Sequence, residues 1–151
     1  CLLGIDCRYD GRNNRVPEII AFSKKILLIP VCPEQLGGLP TPRPPAEISG
    51  GDGNRVLTGE AAVLNIEGAD VTAQYIRGVG QAWQLACLYR AEGAILKEKS
   101  PSCGVEWIYN GRFQNELIAG CGVTTAFLIK RGLKIIGEGD IDSADLTACF
   151  S

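Results

Sequence analysis

The run Ile26-Leu27-Leu28-Ile29-Pro30-Val31 leads directly into Cys32-Pro33-Glu34-Gln35-Leu36-Gly37-Gly38-Leu39-Pro40-Thr41-Pro42-Arg43. Successive branched apolar residues read as a buried strand, and Pro33, Gly37, Gly38, Pro40 and Pro42 forbid its continuation. Cys32 and Glu34 therefore sit where a strand gives way to a loop. In open parallel α/β sheets that edge collects ligands, because strand ends, loops and helix N-termini face one crevice there. Cys1 and Cys103 occupy positions that read as equivalent.

The flanking pattern extends this reading. Cys1 to Gly11 looks like a strand end followed by a polar turn at Asp10-Gly11. Val16, Ile19, Ile20 and Phe22 have helical spacing, opened by Pro17. Residues 40–68, rich in Pro and Gly, read as a long irregular loop with a hairpin over Val56–Ile66. Asp70 or Thr72 caps a helix running to about Arg90, with Tyr75, Val79, Ala82, Ala86 and Cys87 on its apolar stripe and Gly93 as its stop. Ala94–Glu98 is the next strand, and Lys99-Ser100-Pro101-Ser102-Cys103-Gly104 is its polar exit. A hairpin over Val105–Phe113 turns at Asn110-Gly111. A helix opening at Gly120-Cys121-Gly122 runs through Lys130, and Leu133–Gly137 is a final strand.

Strands alternating with helices at this spacing predict a single-domain α/β fold, Rossmann-like and three-layered, with a largely parallel sheet. A chain of 151 residues, 46% of them hydrophobic, suffices for one such core. The domain is expected over 1–140, with 141–151 a tail of no clear periodicity. The chain opens on Cys1 and contains no Met. A first strand leading into Cys1 is therefore expected to be missing.

Charge and composition exclude several functions. A formal charge of −2 gives no broad attraction for nucleic acid or anionic membrane. No apolar run approaches the roughly 18 residues of a membrane span, and the expected location is cytoplasmic. Histidine is absent, which removes Ser-His-Asp and Cys-His catalysis and the commonest nitrogen ligand for zinc.

Seven cysteines, an odd number in an α/β pattern, favour free thiols or metal ligands over a disulfide framework. Cys1, Cys32 and Cys103 are distant in sequence, yet adjacent parallel strand ends lie about 5 Å apart, so all three thiols can converge. Without histidine, such a soft donor set selects zinc, copper(I) or an iron–sulfur cluster. Cys87 and Cys149 read as small buried hydrophobes. Cys7 and Cys121 are intermediate, each either an additional ligand or a bystander.

Cys1-Leu2-Leu3-Gly4, Arg8-Tyr9-Asp10-Gly11, Pro30-Val31-Cys32-Pro33-Glu34, Gly37-Gly38-Leu39-Pro40-Thr41-Pro42-Arg43, Ser100-Pro101-Ser102-Cys103-Gly104 and Gly122-Val123-Thr124 together resemble the DUF523 family, which includes the thiouracil desulfidases. The resemblance spans Cys1 to about Glu138. It implies a [4Fe-4S] cluster held by Cys1, Cys32 and Cys103, with one iron open to the substrate's sulfur and Cys7 outside the ligand set.

The implied activity is non-redox removal of sulfur from a small thiolated pyrimidine, 2-thiouracil or 4-thiouracil. In that chemistry Glu34 is the expected general base or proton relay, and Ser102, then Ser100, the hydroxyl that meets substrate or water. Asp10 is either a further catalytic carboxylate or a turn former, and Arg8, Tyr9 and Arg43 are the expected substrate-binding side chains. Rival readings are desulfuration of thiolated nucleosides in RNA, a non-enzymatic sulfur carrier or redox sensor, and a zinc site on the same thiols. The expected partner is a small thiolated base, with neither membrane nor nucleic acid, and a homodimer is one assembly the reading allows.

Overall fold

The computed structural model describes residues 1–141 and 150. The expectations for the remaining tail, including a buried Cys149, lie outside the described residues. Helix α1 spans Pro17–Phe22 with Val16 as its N-cap, and buries Ile19 and Phe22 as the spacing requires. No strand ladder forms over the Ile26–Val31 run among the described residues. Apolar sequence alone does not make a strand: a ladder needs a partner edge, and none of the described residues supplies one. Directly after Cys32, Pro33–Leu36 forms a short helix α2, with Pro33 at the position where a missing N–H costs nothing.

The segment read as irregular contains three elements. Strand β1 (Ala46–Ser49) pairs antiparallel with β2 (Ala62–Asn65), and helix α3 (Gly53–Leu57) lies between them. The hairpin expected over Val56–Ile66 is thus replaced by a helix end and one strand. Asp52 decides this, because its side chain accepts from the Asn54 and Arg55 backbone N–H groups and starts α3.

Helix α4 (Thr72–Leu88) follows, burying Tyr75, Gly78, Val79 and Ala82 on one stripe. It ends before Gly93: Arg90 takes the left-handed conformation (φ 51°), and Gly93 instead opens strand β3 (Gly93–Leu96). Cys87 is exposed, contrary to the core assignment, because at about 3.6 residues per turn it stands about 120° around the helix from Tyr75, off the buried stripe. Strand β4 (Trp107–Tyr109) pairs antiparallel with β5 (Leu117–Ala119), so the hairpin is longer than expected and Asn110-Gly111 starts its connection. Helix α5 (Val123–Lys130) and strand β6 (Lys134–Gly137) fall where predicted.

Strand β3 pairs parallel with β6. Among the described residues this is the one parallel ladder, beside two antiparallel pairs, so the architecture is mixed α/β rather than one largely parallel sheet. The core joins Ile48, Val56, Val63, Tyr75, Val79, Ile108 and Val123 from both antiparallel pairs and helices α3, α4 and α5. No helix among the described residues is long and apolar enough to cross a membrane.

Candidate metal centre

Two backbone-to-backbone seats place the loops that carry Cys32 and Cys103. Helix α2 lies directly on α4: a methyl group at Gly78 would collide with the Pro33 carbonyl oxygen, and one at Gly37 with the Gln74 carbonyl oxygen. Likewise a methyl group at Gly122 would collide with the Ser102 carbonyl oxygen. Close approach of this kind is available only to glycine. It brings the residue after Cys32 and the residue before Cys103 onto fixed surfaces.

Hydrogen bonds then shape the loop around Cys103. Ser100 Oγ accepts from the N–H groups of Ser102 (3.2 Å) and Cys103 (3.1 Å), and Thr125 Oγ1 donates to the Cys103 carbonyl (2.9 Å). Beyond the loop, the Glu98 carboxylate collects the N–H groups of Val105 (3.0 Å), Glu106 (3.0 Å) and Trp107 (3.2 Å). Lys97 in turn pairs with Glu138 at 3.1 Å. Cys1 is placed by Asn14, whose side-chain amide donates to its Sγ at 3.3 Å.

The result is one cavity of 840 Å³ lined by Cys1, Cys7, Cys32, Cys103 and Thr124, and by the apolar Ile26–Val31 run facing β3. The three expected ligands therefore line the same cavity, together with the buried Cys7. Burial pushes the Cys103 thiol up to about 12, with the charges of Glu34 and Cys32 adding to the effect and a hydrogen bond from Ser102 opposing it. Burial also raises Cys32, reinforced by Cys7 and Glu34. Cys32 thus feels the Cys7 thiol, and Cys103 feels Cys32.

Among the described residues no three His, Cys, Asp or Glu side chains close tightly enough to hold one ion. Tetrahedral zinc would need its sulfurs about 3.8 Å apart, given Zn–S bonds of about 2.3 Å. A wider set of soft thiolate donors with no nitrogen ligand fits an iron–sulfur cluster better than a single ion.

Glu34 stands in the first turn of α2 and is gripped by Arg43, whose Nε meets Oε2 at 2.8 Å. Arg43 is itself buried, donating also to the carbonyls of Cys7 (3.1 Å) and Pro40 (3.2 Å) and to Thr41 Oγ1 (3.2 Å). It ties the Cys7 loop, α2 and the Pro-rich loop together. Ser102 is buried behind the cavity wall, its hydroxyl 2.8 Å from that of Thr124, the member of the pair that lines the cavity.

Arg8, Tyr9 and Asp10 form a separate turn. Asp10 pairs with Arg8 (3.0 Å) and Arg12 (2.7 Å), and Arg8 lies over the Tyr9 ring at 5.3 Å. Cys121 lies by Asp52, its thiol 3.8 Å from the carboxylate and outside the lining of the thiol cavity. Two contributors escaped the sequence reading: Glu98 and Thr124. Thr124 closes the Gly122-Val123-Thr124 motif, whereas Glu98 is indistinguishable in sequence from an ordinary surface carboxylate.

The chain has relatives among known proteins. The chain is 43% identical over 142 residues to an uncharacterized protein of Bacillus subtilis (strain 168), YbbK, covering 94% of both chains. It superposes with a TM-score of 0.81 on the solved structure of the [4Fe-4S]-dependent thiouracil desulfidase TudS, at 40% identity over 93% of this chain and 88% of that one. The family model described as 2-thiouracil desulfurase matches residues 1–140. The chain therefore belongs to the 2-thiouracil desulfurase family.

Proposed function

We propose that this protein is a [4Fe-4S]-dependent desulfidase that converts a thiolated pyrimidine, 2-thiouracil or 4-thiouracil, to uracil and sulfide. The observation that carries the reading is the convergence of Cys1, Cys32 and Cys103, from three separate segments, on one cavity. These thiols would hold the cluster and leave one iron open. When bound, the cluster supplies Lewis-acid polarisation of the carbon–sulfur bond. Water then replaces sulfur on the carbon, and sulfide leaves without net transfer of electrons.

The chain's own residues supply the remaining chemistry. Glu34, whose charge reaches both Cys32 and Cys103, takes the proton from the attacking water. Arg43 holds that carboxylate in place. The Ser102–Thr124 hydroxyl pair offers hydrogen bonds to the base, with Ser100 shaping the turn that presents it. Arg8 and Tyr9, in the turn held by Asp10 outside the cavity lining, are the proposed outer contacts of the substrate. The substrate is a free base in the cytoplasm rather than a nucleic acid, in keeping with the net charge of −2.

The same reading takes the parallel β3–β6 pair as part of a Rossmann-like, three-layered sheet of the 1–140 domain.

The test is sulfide release from 2-thiouracil and 4-thiouracil by anaerobically reconstituted protein. Turnover is expected, and Glu34→Gln should keep the visible cluster spectrum while losing about 100-fold in kcat. A protein that carries its cluster and releases no sulfide from any thiolated base is a carrier or sensor, and the proposal fails.

A further inference from the structure

Cys1 lines the thiol cavity, and its sulfur receives a hydrogen bond from a side-chain amide: Asn14 Nδ2 donates to Sγ at 3.3 Å. The amide does not act alone. Arg8 Nη1 donates to Asn14 Oδ1 at 2.6 Å, and Arg8 Nε and Nη2 fork onto the two carboxylate oxygens of Asp10 at 3.1 and 3.0 Å. A continuous chain of bonds therefore runs from a carboxylate through a guanidinium and an amide to a sulfur atom. None of Asp10, Arg8 and Asn14 lines the cavity itself.

The chemistry of each link fixes its direction. A guanidinium carries only donors, so the Asn14 atom that meets Arg8 is the carbonyl oxygen. That leaves the NH2 for Cys1 and forbids the flipped amide, which would set oxygen against sulfur. Arg8 is itself held by two parallel bonds to Asp10, a fork that leaves the guanidinium little freedom. The backbone sets the separation as well, since the Asn14 N–H donates to the Cys1 carbonyl (3.3 Å) and the Val16 N–H to that of Leu2 (2.9 Å). Asn14 thus holds both the main chain and the sulfur of Cys1.

We propose that Asn14 is a positioning residue of the metal centre: its amide, oriented by Arg8 and Asp10, holds the Cys1 sulfur at the cavity and withdraws electron density from it when Cys1 ligates iron. Bonds of this kind orient a ligand and tune the metal it holds. The bond becomes charge-assisted once Cys1 gives up its proton to bind metal, so it favours the ligating form. The inference rests on the desulfidase reading for the iron, whereas the chain of bonds to the sulfur is independent of it.

Asn14→Asp keeps the shape of the side chain and its contact with Arg8, and replaces the donor facing sulfur by an acceptor oxygen. In the reconstituted protein, iron is expected to pass to a chelator about tenfold faster than in the wild type. The reduction potential should become more negative, because an N–H donated to a ligand sulfur is gone, a change that looser packing alone would not produce. The control is Asn13→Asp, which adds the same charge one residue away, at a side chain that bonds Asp6 (2.6 Å) instead of sulfur. Its iron loss should stay within about twofold of the wild type. Wild-type iron loss and potential in Asn14→Asp, or the same changes in Asn13→Asp, overturn the proposal.

A second measurement uses the cluster-free protein. The Asn14 side-chain NH2 resonances are expected to move in Cys1→Ala and in Arg8→Met, since each change removes one of the two groups that hold the amide. Resonances that stay in place in Cys1→Ala overturn the positioning role whatever the iron does. Resonances that move, in a wild-type protein that takes up no iron, would instead defeat the desulfidase reading and leave the contact between Asn14 and Cys1 standing.

Discussion

Arg43→Met tests whether the site is held together by one buried cation. The Arg43 side chain is 5% exposed and its Glu34 partner 15%. Breaking a buried ion pair from one side costs about 3–5 kcal/mol, because the remaining charge loses its partner without regaining water. The hydrogen bonds to the Cys7 and Pro40 carbonyls and to Thr41 add about 1 kcal/mol each, partly recovered by solvent at the rim. Partial access of water to Glu34 brings the expected total to about 4 kcal/mol, a large share of the 5–15 kcal/mol by which domains are ordinarily stable. The assay is urea unfolding of the cluster-free protein for Arg43→Met, Glu34→Gln and the double variant. The two single losses should exceed the double loss by a coupling of about 2 kcal/mol. Additivity within about 0.5 kcal/mol would refute the argument, since it would mean that the pair contributes nothing as a pair.

Other expectations follow from individual contacts. Gly122→Ala forces a methyl group onto the Ser102 carbonyl and should cost about 2–3 kcal/mol while reducing iron uptake, whereas Gly80→Ala, with open space around it, should stabilise α4 by up to about 1 kcal/mol; thermal melts and iron assays distinguish the two. Glu98→Ala strands three backbone N–H groups next to the Cys103 loop, with an expected loss of about 2 kcal/mol in urea and a lower iron content after reconstitution. Burial, then the adjacent Asp52 carboxylate, push the Cys121 thiol up to about 11, so only about one in a thousand is thiolate at pH 8. Iodoacetamide labelling followed by mass spectrometry should find Cys121 slow to react and faster in Asp52→Asn. Burial tends to raise Asp52, but hydrogen bonds from Asn54 and Arg55 outweigh it and hold the carboxyl below the usual range. Its contribution is therefore complete above the unfolded value of about 3.9 and lost as pH falls through the folded one, so Asp52→Asn should flatten the acid limb of the melting profile.

Local chemistry was legible where one residue decides the outcome. Pro17 and Gly132 bracket helices that form as read, and the placement of Cys32 and Cys103 at loop starts follows from the Pro, Ser and Gly around them. Two kinds of feature were not legible. Asp52 starts a helix inside a Pro/Gly-rich stretch through two hydrogen bonds, a signal easily lost among glycines. The Ile26–Val31 run has the composition of a strand, but pairing is a property of its neighbours, which composition does not describe. Cys87 differs, because its exposure was legible in the spacing: at about 3.6 residues per turn it stands about 120° around the helix from Tyr75, away from the buried stripe.

Around the cavity, the sequence marked Cys1, Cys32 and Cys103 as residues that could meet, but not the groups that hold their loops. Glutamates are common, and nothing in the pattern separates Glu98 from a surface charge. Its role emerges only when the chain is folded and three N–H groups meet its carboxylate.

The central claim is most directly tested by counting iron and acid-labile sulfide per chain after anaerobic reconstitution of the wild type and of single cysteine variants. The account predicts about four of each in the wild type and in Cys87→Ala and Cys121→Ala, and loss of the cluster in Cys32→Ala and Cys103→Ala. A colourless protein carrying one zinc per chain, or a Cys103→Ala variant with its full iron, would contradict it.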